Sequence, residues 1–335
     1  MSCPCTPASL CSPLATPLPL QETFAFTVLS NPAAVERYDF DKLTTLAIFV
    51  PETTSDDMLF DLVCSAHEKG VRVVEGTGFP MDDIHDDDKI SSWIADSLNR
   101  TLKYGFDGLN FDNEQISGTA DIITQRINET TTAFRDAIAV PQITFDMPMH
   151  PFGRDGWNAT TLAEVVDFFV PMGYDMCWGA DTASANSDFP SLESGIQEYA
   201  ALDVSSEKIV LGLPWYGWRF TCAEPDDAQS GQPCKIETSD NWYPDVAYQL
   251  NLDDILDIIT DDVEILLDEA SGTKYFAKDG FQYWFDDEET LALKYALRDT
   301  HGLRGVAMWT ADSVAPTAPE FDAMWAALPT VQKVL

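Results

Sequence analysis

The chain has 335 residues, with 19 basic and 56 acidic side chains and a formal charge of -37, a balance that argues against nucleic acid or an anionic membrane surface as partner. Its 45% hydrophobic and 11% aromatic content is that of a folded chain with a large core, and disorder is not expected away from the termini. No stretch approaches the roughly 18 apolar residues of a membrane-spanning helix. Acidity of this degree suits either an acidic compartment, where carboxylates protonate, or a salty medium that screens them.

The first 22 residues are rich in Cys and Pro and read as an N-terminal arm. Cys3, Cys5, Cys11 and Cys64 account for four of the seven cysteines. Two more, Cys222 and Cys234, bracket a polar loop, and Cys177 is left over. With only four histidines, disulfides are preferred to the rival reading, a zinc site, and no metal or other cofactor is expected. A Cys222–Cys234 bridge would contribute roughly 3 kcal/mol by loop-closure entropy. Disulfides and three Asn-x-Thr sequons at Asn99, Asn128 and Asn158 fit an exported protein, so a lysosomal or secreted location is expected, although no signal peptide is evident.

Beyond the arm, short apolar runs alternate with amphipathic stretches, the rhythm of a parallel α/β sheet. Strands are predicted at Phe24–Leu29, Thr45–Val50, Val71–Val74, Gly108–Asp112, Gln142–Asp146, Phe168–Met172, Ile209–Leu213 and Gly305–Trp309. Helices are predicted at Asp56–Lys69, Ser91–Tyr104, Ala120–Ile138, Thr161–Val166 and about Glu288 to Thr300, from apolar spacings of three and four. Eight such strands suggest a TIM (β/α)8 barrel over residues 23–330. A doubly wound sheet is weaker, because no Gly-rich phosphate-binding turn is present. The interval 218–288 is too long for one helix and reads as a small α+β insertion after strand seven.

Within strand four, alternation puts Asn110, Asp112 and Glu114 on one face and Leu109 and Phe111 on the other. Asp112 and Glu114 then sit about 7 Å apart along the strand, close enough to perturb each other's protonation. In a parallel barrel the C-terminal strand ends converge on one mouth. Those ends offer Asp146 on strand five, Met172, Tyr174 and Asp175 on six, Trp215 and Tyr216 on seven and Trp309 on eight. Aromatic faces and carboxylates together make a sugar site, the faces stacking on pyranose rings.

The segment Asp107-Gly108-Leu109-Asn110-Phe111-Asp112-Asn113-Glu114 resembles the D-G-x-D-x-D-x-E signature of family 18 glycoside hydrolases, with Asn110 standing where most chitinases of the family carry an acid. Met172-Gly173-Tyr174-Asp175 is similar to a second motif of that family, M-x-Y-D. The resemblance implies substrate-assisted catalysis, in which the substrate's own N-acetyl carbonyl replaces a protein nucleophile. It implies Glu114 as general acid, Asp112 on the acetamido N–H and Tyr174 on the acetamido carbonyl. Asp175 would then grip the sugar and Trp309 form the floor. Asp146, Asn110, Met172, Trp215 and Tyr216 would complete the binding site.

The activity implied is retaining cleavage of GlcNAcβ1-4GlcNAc with release of a reducing-end GlcNAc from N-glycan cores or chitooligosaccharides. The expected partner is an oligosaccharide and the chain is expected to be a monomer. The insertion, with its aromatic cluster Tyr283-Trp284-Phe285, is expected to wall off the cleft beyond the leaving sugar. The alternatives are a general chitinase, an endo-β-N-acetylglucosaminidase, and an inactive lectin on the same scaffold. The intact Glu114 argues against the last.

Overall fold

The computed structural model describes residues 11–30, 35–114, 118–151, 157–229, 231–237, 239 and 242–331. Eight parallel strands close into a barrel: β1 (Glu22–Thr27), β2 (Thr45–Ile48), β3 (Arg72–Thr77), β4 (Gly108–Phe111), β5 (Gln142–Pro148), β6 (Phe168–Met172), β7 (Val210–Pro214) and β13 (Gly305–Trp309). β1 closes the ring by pairing with β13 on one side and β2 on the other. The TIM barrel expected from the sequence is therefore the fold, and the doubly wound alternative is excluded.

Alternation along these strands separates two apolar cores. Phe24, Phe26, Ala47, Val74, Phe168, Val170, Val210 and Ala307 fill the barrel interior, with Phe49 and Trp309 packed on top. The opposite residues, among them Leu46, Val73, Leu109, Phe111 and Leu211, join the larger core between the barrel and its helices. Those helices are α1 (Asp56–Glu68), α2 (Asp87–Tyr104), α3 (Ala120–Ala137), α4 (Ala159–Val165), α5 (Phe189–Ala201) and α7 (Glu288–Tyr295) with the short α8 (Leu297–His301). α2 carries the N-cap Asp86, whose side chain accepts from the Lys89 N–H, and ends on Gly105 in the left-handed region. The single helix expected from Glu288 to Thr300 is broken at Ala296.

The first strand begins two residues before its expected start and ends two before its expected end. Asp312 Oδ2 takes the Thr27 hydroxyl at 2.8 Å and the Val28 N–H at 2.7 Å, so the chain leaves the ladder there and Leu29 adopts φ 53°. At the other end the buried Glu22 accepts from Thr44 and from Thr45 Oγ1 at 3.1 Å. A polar residue with partners inside the barrel was not readable as strand.

A five-stranded antiparallel sheet lies between β7 and β13, in the order β10-β11-β12-β8-β9. Its strands are β8 (Tyr216–Thr221), β9 (Ala247–Asn251), β10 (Leu266–Asp268), β11 (Thr273–Lys278) and β12 (Phe281–Phe285), with the short α6 (Leu252–Leu256) following β9. Cys222 and Cys234 form a disulfide, Cys11 and Cys64 are also disulfide-bonded, and Cys177 is a buried free thiol. Cys3 and Cys5 lie outside the described residues. The sheet is fastened to the barrel by Lys294 of α7, which reaches Asp286 at 2.5 Å and Thr273 Oγ1 at 2.9 Å with both charged side chains fully buried. Removing one partner of such a pair costs roughly 3–5 kcal/mol, because the other is left buried and unpaired.

Candidate active site

Asp107 and Gly108 set the strand that carries the acids. Asp107 is fully buried: its Oδ1 accepts the Leu14 N–H at 2.6 Å, its Oδ2 accepts the Val73 N–H at 2.6 Å, and His67 Nε2 lies 2.9 Å from that same oxygen. It therefore anchors the arm and two barrel strands to one carboxylate. Gly108 follows at φ 155°, where a Cβ would stand 1.9 Å from the Gln142 carbonyl oxygen. Only glycine fits there.

From Gly108 the strand alternates as its sequence predicts. Leu109 and Phe111 enter the helix-side core, and Asn110 turns into the barrel. Asn110 Nδ2 donates to Thr144 Oγ1 and Asp146 Oδ1, both at 3.0 Å. Past the end of β4, the Asp112 N–H still bonds to the Thr77 carbonyl at 2.8 Å. Asn113 is buried, its Oδ1 accepting from the Phe79 N–H at 3.3 Å. Those two anchors hold the chain on either side of Asp112 and present Glu114 at the mouth, exposed.

The carboxylates act on one another. Burial, and then the charge of Glu114, push Asp112 up to about 6. Its Oδ1 is buried without a hydrogen-bond partner among the described residues, as is Asn110 Oδ1. Asp146 is raised well above the usual carboxylate range by burial and then by Asp112, with the Asn110 amide as counterweight. Glu114 is raised by desolvation of its carboxyl and then by Asp175. Such a cluster holds protons at pH values where isolated carboxyls have lost them, which is what a general acid requires.

Tyr174 and Asp175 follow β6. Gly173 lets this segment lie against β7: its N–H donates to the Gly212 carbonyl at 2.9 Å, and a Cβ would stand 2.6 Å from that oxygen. Tyr174 stacks on Trp309, ring centres 6.3 Å apart and planes 26° apart. Burial and then Asp146 and Asp112 keep its phenol protonated, as a donor. Trp309 also meets Phe26 at 5.2 Å and Phe49 at 5.6 Å, so its position on the barrel plug is fixed. Met172, half-buried, ends β6 opposite Gly212.

Asp175 has φ 56°, an unusual conformation for an Asp that the surrounding bonds must hold. Its N–H donates to Asn186 Oδ1 at 2.7 Å, Asn186 Nδ2 donates to the Tyr216 carbonyl at 3.1 Å, and the Tyr216 hydroxyl donates back to Asp175 Oδ1 at 2.5 Å. Trp218 Nε1 donates to the same oxygen at 3.1 Å, and Gln249 Nε2 reaches Oδ1 at 3.1 Å and Oδ2 at 3.3 Å. Burial raises Asp175 while these three donors pull it back down.

Nine of the ten sequence-predicted site residues thus gather at the barrel mouth or directly beneath it: Asn110, Asp112, Glu114, Asp146, Met172, Tyr174, Asp175, Tyr216 and Trp309. Trp215 does not. It is fully buried in the core between barrel and helices, its Nε1 donating to the Tyr295 hydroxyl at 2.9 Å and its ring edge-on to Trp325 at 5.3 Å. Tyr283, Trp284 and Phe285 also form no wall of the mouth. Tyr283 stacks on Phe276 at 4.8 Å and Trp284 on Tyr275 at 4.4 Å, all buried, because both faces of β12 are covered. The exposed rings are instead Trp178, Tyr243 and Tyr248; the Trp178 N–H donates to the Asp175 carbonyl at 3.0 Å, its ring lies 5.8 Å from Trp218 and 5.4 Å from Tyr243, and Tyr243 stacks on Tyr248 at 6.0 Å. Asn113, Asn186, Trp218 and Gln249 were not foreseen as site residues, and of these only Asn113 lies within the motif read at strand four.

Glycosyl hydrolases family 18 matches residues 76–313 of this chain. Di-N-acetylchitobiase of Homo sapiens is 30% identical over 97% of this chain and 88% of that protein. Probable di-N-acetylchitobiase 1 of Dictyostelium discoideum is 29% identical over 99% of this chain and 94% of that protein. Among solved structures, the family 18 chitinase of Cycas revoluta in complex with (GlcNAc)3 has a TM-score of 0.77 at 18% identity, covering 91% of this chain and 97% of that one. The class V chitinase of Nicotiana tobaccum has a TM-score of 0.78 at 16% identity, covering 92% and 98%. The fold is common to this chain and both chitinases.

The raised carboxyls make stability depend on pH with a definite sign. In the unfolded chain an Asp ionises near 3.9, whereas folded Asp112 resists until about 6. The protonated form is thus favoured by folding. Its stabilisation is fully present below about pH 4 and lost as pH rises through 6. Asp112→Asn is expected to remove on the order of 2 kcal/mol of the decline in stability between pH 4.5 and 7. Urea unfolding of parent and variant at the two pH values measures it; parallel declines would contradict the assignment.

Proposed function

The chain belongs to glycosyl hydrolase family 18, and on that premise we propose that it is a retaining β-N-acetylglucosaminidase that cleaves GlcNAcβ1-4GlcNAc and releases the reducing-end GlcNAc. The observation that carries the reading is the pair Asp112 and Glu114 beyond β4, in which burial and then the charge of Glu114 push Asp112 up to about 6, with the phenol of Tyr174 held protonated beside it.

In this reading Glu114, protonated by its surroundings, delivers its proton to the glycosidic oxygen as the bond to C1 breaks. The acetamido carbonyl oxygen of the sugar attacks C1 from the opposite face, forming a cyclic oxazolinium ion. Asp112 accepts the acetamido N–H, and its charge stabilises the cation. The Tyr174 hydroxyl donates to the carbonyl oxygen and aims it at C1. Glu114, now a carboxylate, takes a proton from the incoming water, which opens the ring with net retention. Asp175 accepts from a sugar hydroxyl, and the Trp309 face supports the distorted pyranose. Asn110 contributes a neutral donor behind this group, so Asp146 meets an amide where an acid would have added a third like charge.

Chitobiose specificity and the direction of release are supported by full-length similarity to proteins named di-N-acetylchitobiase. A general chitinase is the second reading. It is favoured by the exposed ring of Trp178, three residues beyond Asp175, and by the rings of Tyr243 and Tyr248 that continue from it, which offer stacking surface for further sugars.

Glu114→Gln is expected to keep the parent's melting temperature while losing roughly 10²–10⁴-fold in turnover, since it deletes only the transferable proton. Turnover within a few fold of the parent would remove Glu114 from the mechanism. On a GlcNAc tetrasaccharide labelled at its reducing end, labelled monosaccharide is expected as the first product by mass spectrometry. Early labelled di- or trisaccharide would instead establish the chitinase reading.

A further inference from the structure

Asp175 is a half-buried carboxylate whose stabilisation comes from neutral donors of the inserted sheet. Two of them, the Tyr216 hydroxyl and Trp218 Nε1, arrive on β8 and both address Oδ1. With one oxygen pinned, the carboxylate can still swing its other oxygen. Gln249 removes that freedom, because its Nε2 lies 3.1 Å from Oδ1 and 3.3 Å from Oδ2. It comes from β9 at the edge of the sheet, where the antiparallel ladder sets it opposite Trp218. A carboxylate only accepts, so the amide must present its nitrogen.

We infer that Gln249 is a positioning residue for the reaction, holding the Asp175 carboxylate in a fixed plane and in its charged form through a bond from the edge strand of the insertion. The inference rests on the proposed role of Asp175 as a sugar-binding group. Its physical basis is that a hydrogen bond to the charged form favours that form. The titratable groups facing Asp175 are Glu114 beyond β4, Tyr174 and Cys177 on its own segment and Tyr216 on β8. None of these is cationic, so the neutral donors alone oppose desolvation, and loss of one is felt directly.

Gln249→Met keeps the length and deletes the donor; Gln249→Lys keeps a donor and adds a charge. The acidic limb of kcat/KM on di-N-acetylchitobiose is expected to move up by about one pH unit in Gln249→Met and down in Gln249→Lys. A residue that merely fills space would lower both profiles by one factor at every pH, and that result would overturn the inference. The second measurement does not use activity. In protein labelled with ¹³C at Asp carboxyls and assigned through Asp175→Asn, the Asp175 midpoint is expected to rise in Gln249→Met. An unchanged midpoint would overturn the inference even in an active enzyme. An inactive parent with the midpoint shifted would count against the proposed activity and leave the Gln249–Asp175 linkage standing.

Discussion

Four carboxyl groups, Asp112, Glu114, Asp146 and Asp175, share the mouth of the barrel; burial raises all four, the charge of a neighbouring carboxyl raises the first three further, and neutral donors alone oppose the rise at Asp146 and Asp175. That constraint shapes the rest of the site. Charges of one sign cannot all ionise in a confined space of low dielectric, so protons are retained, and a retained proton on an exposed carboxyl is a usable acid. Such a cluster would be unstable without fixed surroundings. The surroundings are supplied by Asp107 beneath the strand, by the Asn110 amide between strands, and by Asn113 fixing the turn toward Glu114. The carboxyls themselves add stability where they are protonated, so the arrangement favours an acidic medium.

The inserted sheet belongs to this machinery rather than to its periphery. It lies between β7 and β13, and the same short span that leaves the barrel at Tyr216 supplies the hydroxyl and indole that bind Asp175. Trp284 pairs across the ladder with Trp218, and the buried Lys294–Asp286 pair fixes the sheet to α7. Rigidity at Asp175 thus depends on packing well away from the mouth.

Much of this was readable from residue order. Alternation alone predicts that Leu109 and Phe111 face the helices and that Asn110 faces the interior, and the acids beyond β4 follow the same parity. Applied to β7, parity would also have placed Trp215 on the helix side, since Val210 fills the interior; proximity to a strand end was given too much weight. For Trp309, two residues beyond the interior Ala307, parity and position agree. The cluster Tyr283 to Phe285 misled because an aromatic run on a strand covered on both faces is indistinguishable, in sequence, from one that lines a cleft. Gln249 left no local signal. Its contact with Asp175 depends on the register of β9 against β8 and on a left-handed residue 74 positions earlier, a tertiary fact that neither segment encodes alone.

The claim on which the account turns is that the nucleophile is the substrate's acetamido carbonyl and that the protein supplies only protons, orientation and charge. The most direct measurement is kcat/KM on aryl glycosides whose 2-acetamido group carries zero, one, two or three fluorines. Each fluorine withdraws electrons from the carbonyl oxygen and leaves the sugar's shape nearly unchanged. The account predicts a steep, monotonic fall across the series and no measurable cleavage when the group is replaced by a hydroxyl. Rates insensitive to fluorine, or efficient cleavage of the 2-hydroxyl glycoside, would mean that a protein carboxylate attacks C1 and would contradict it.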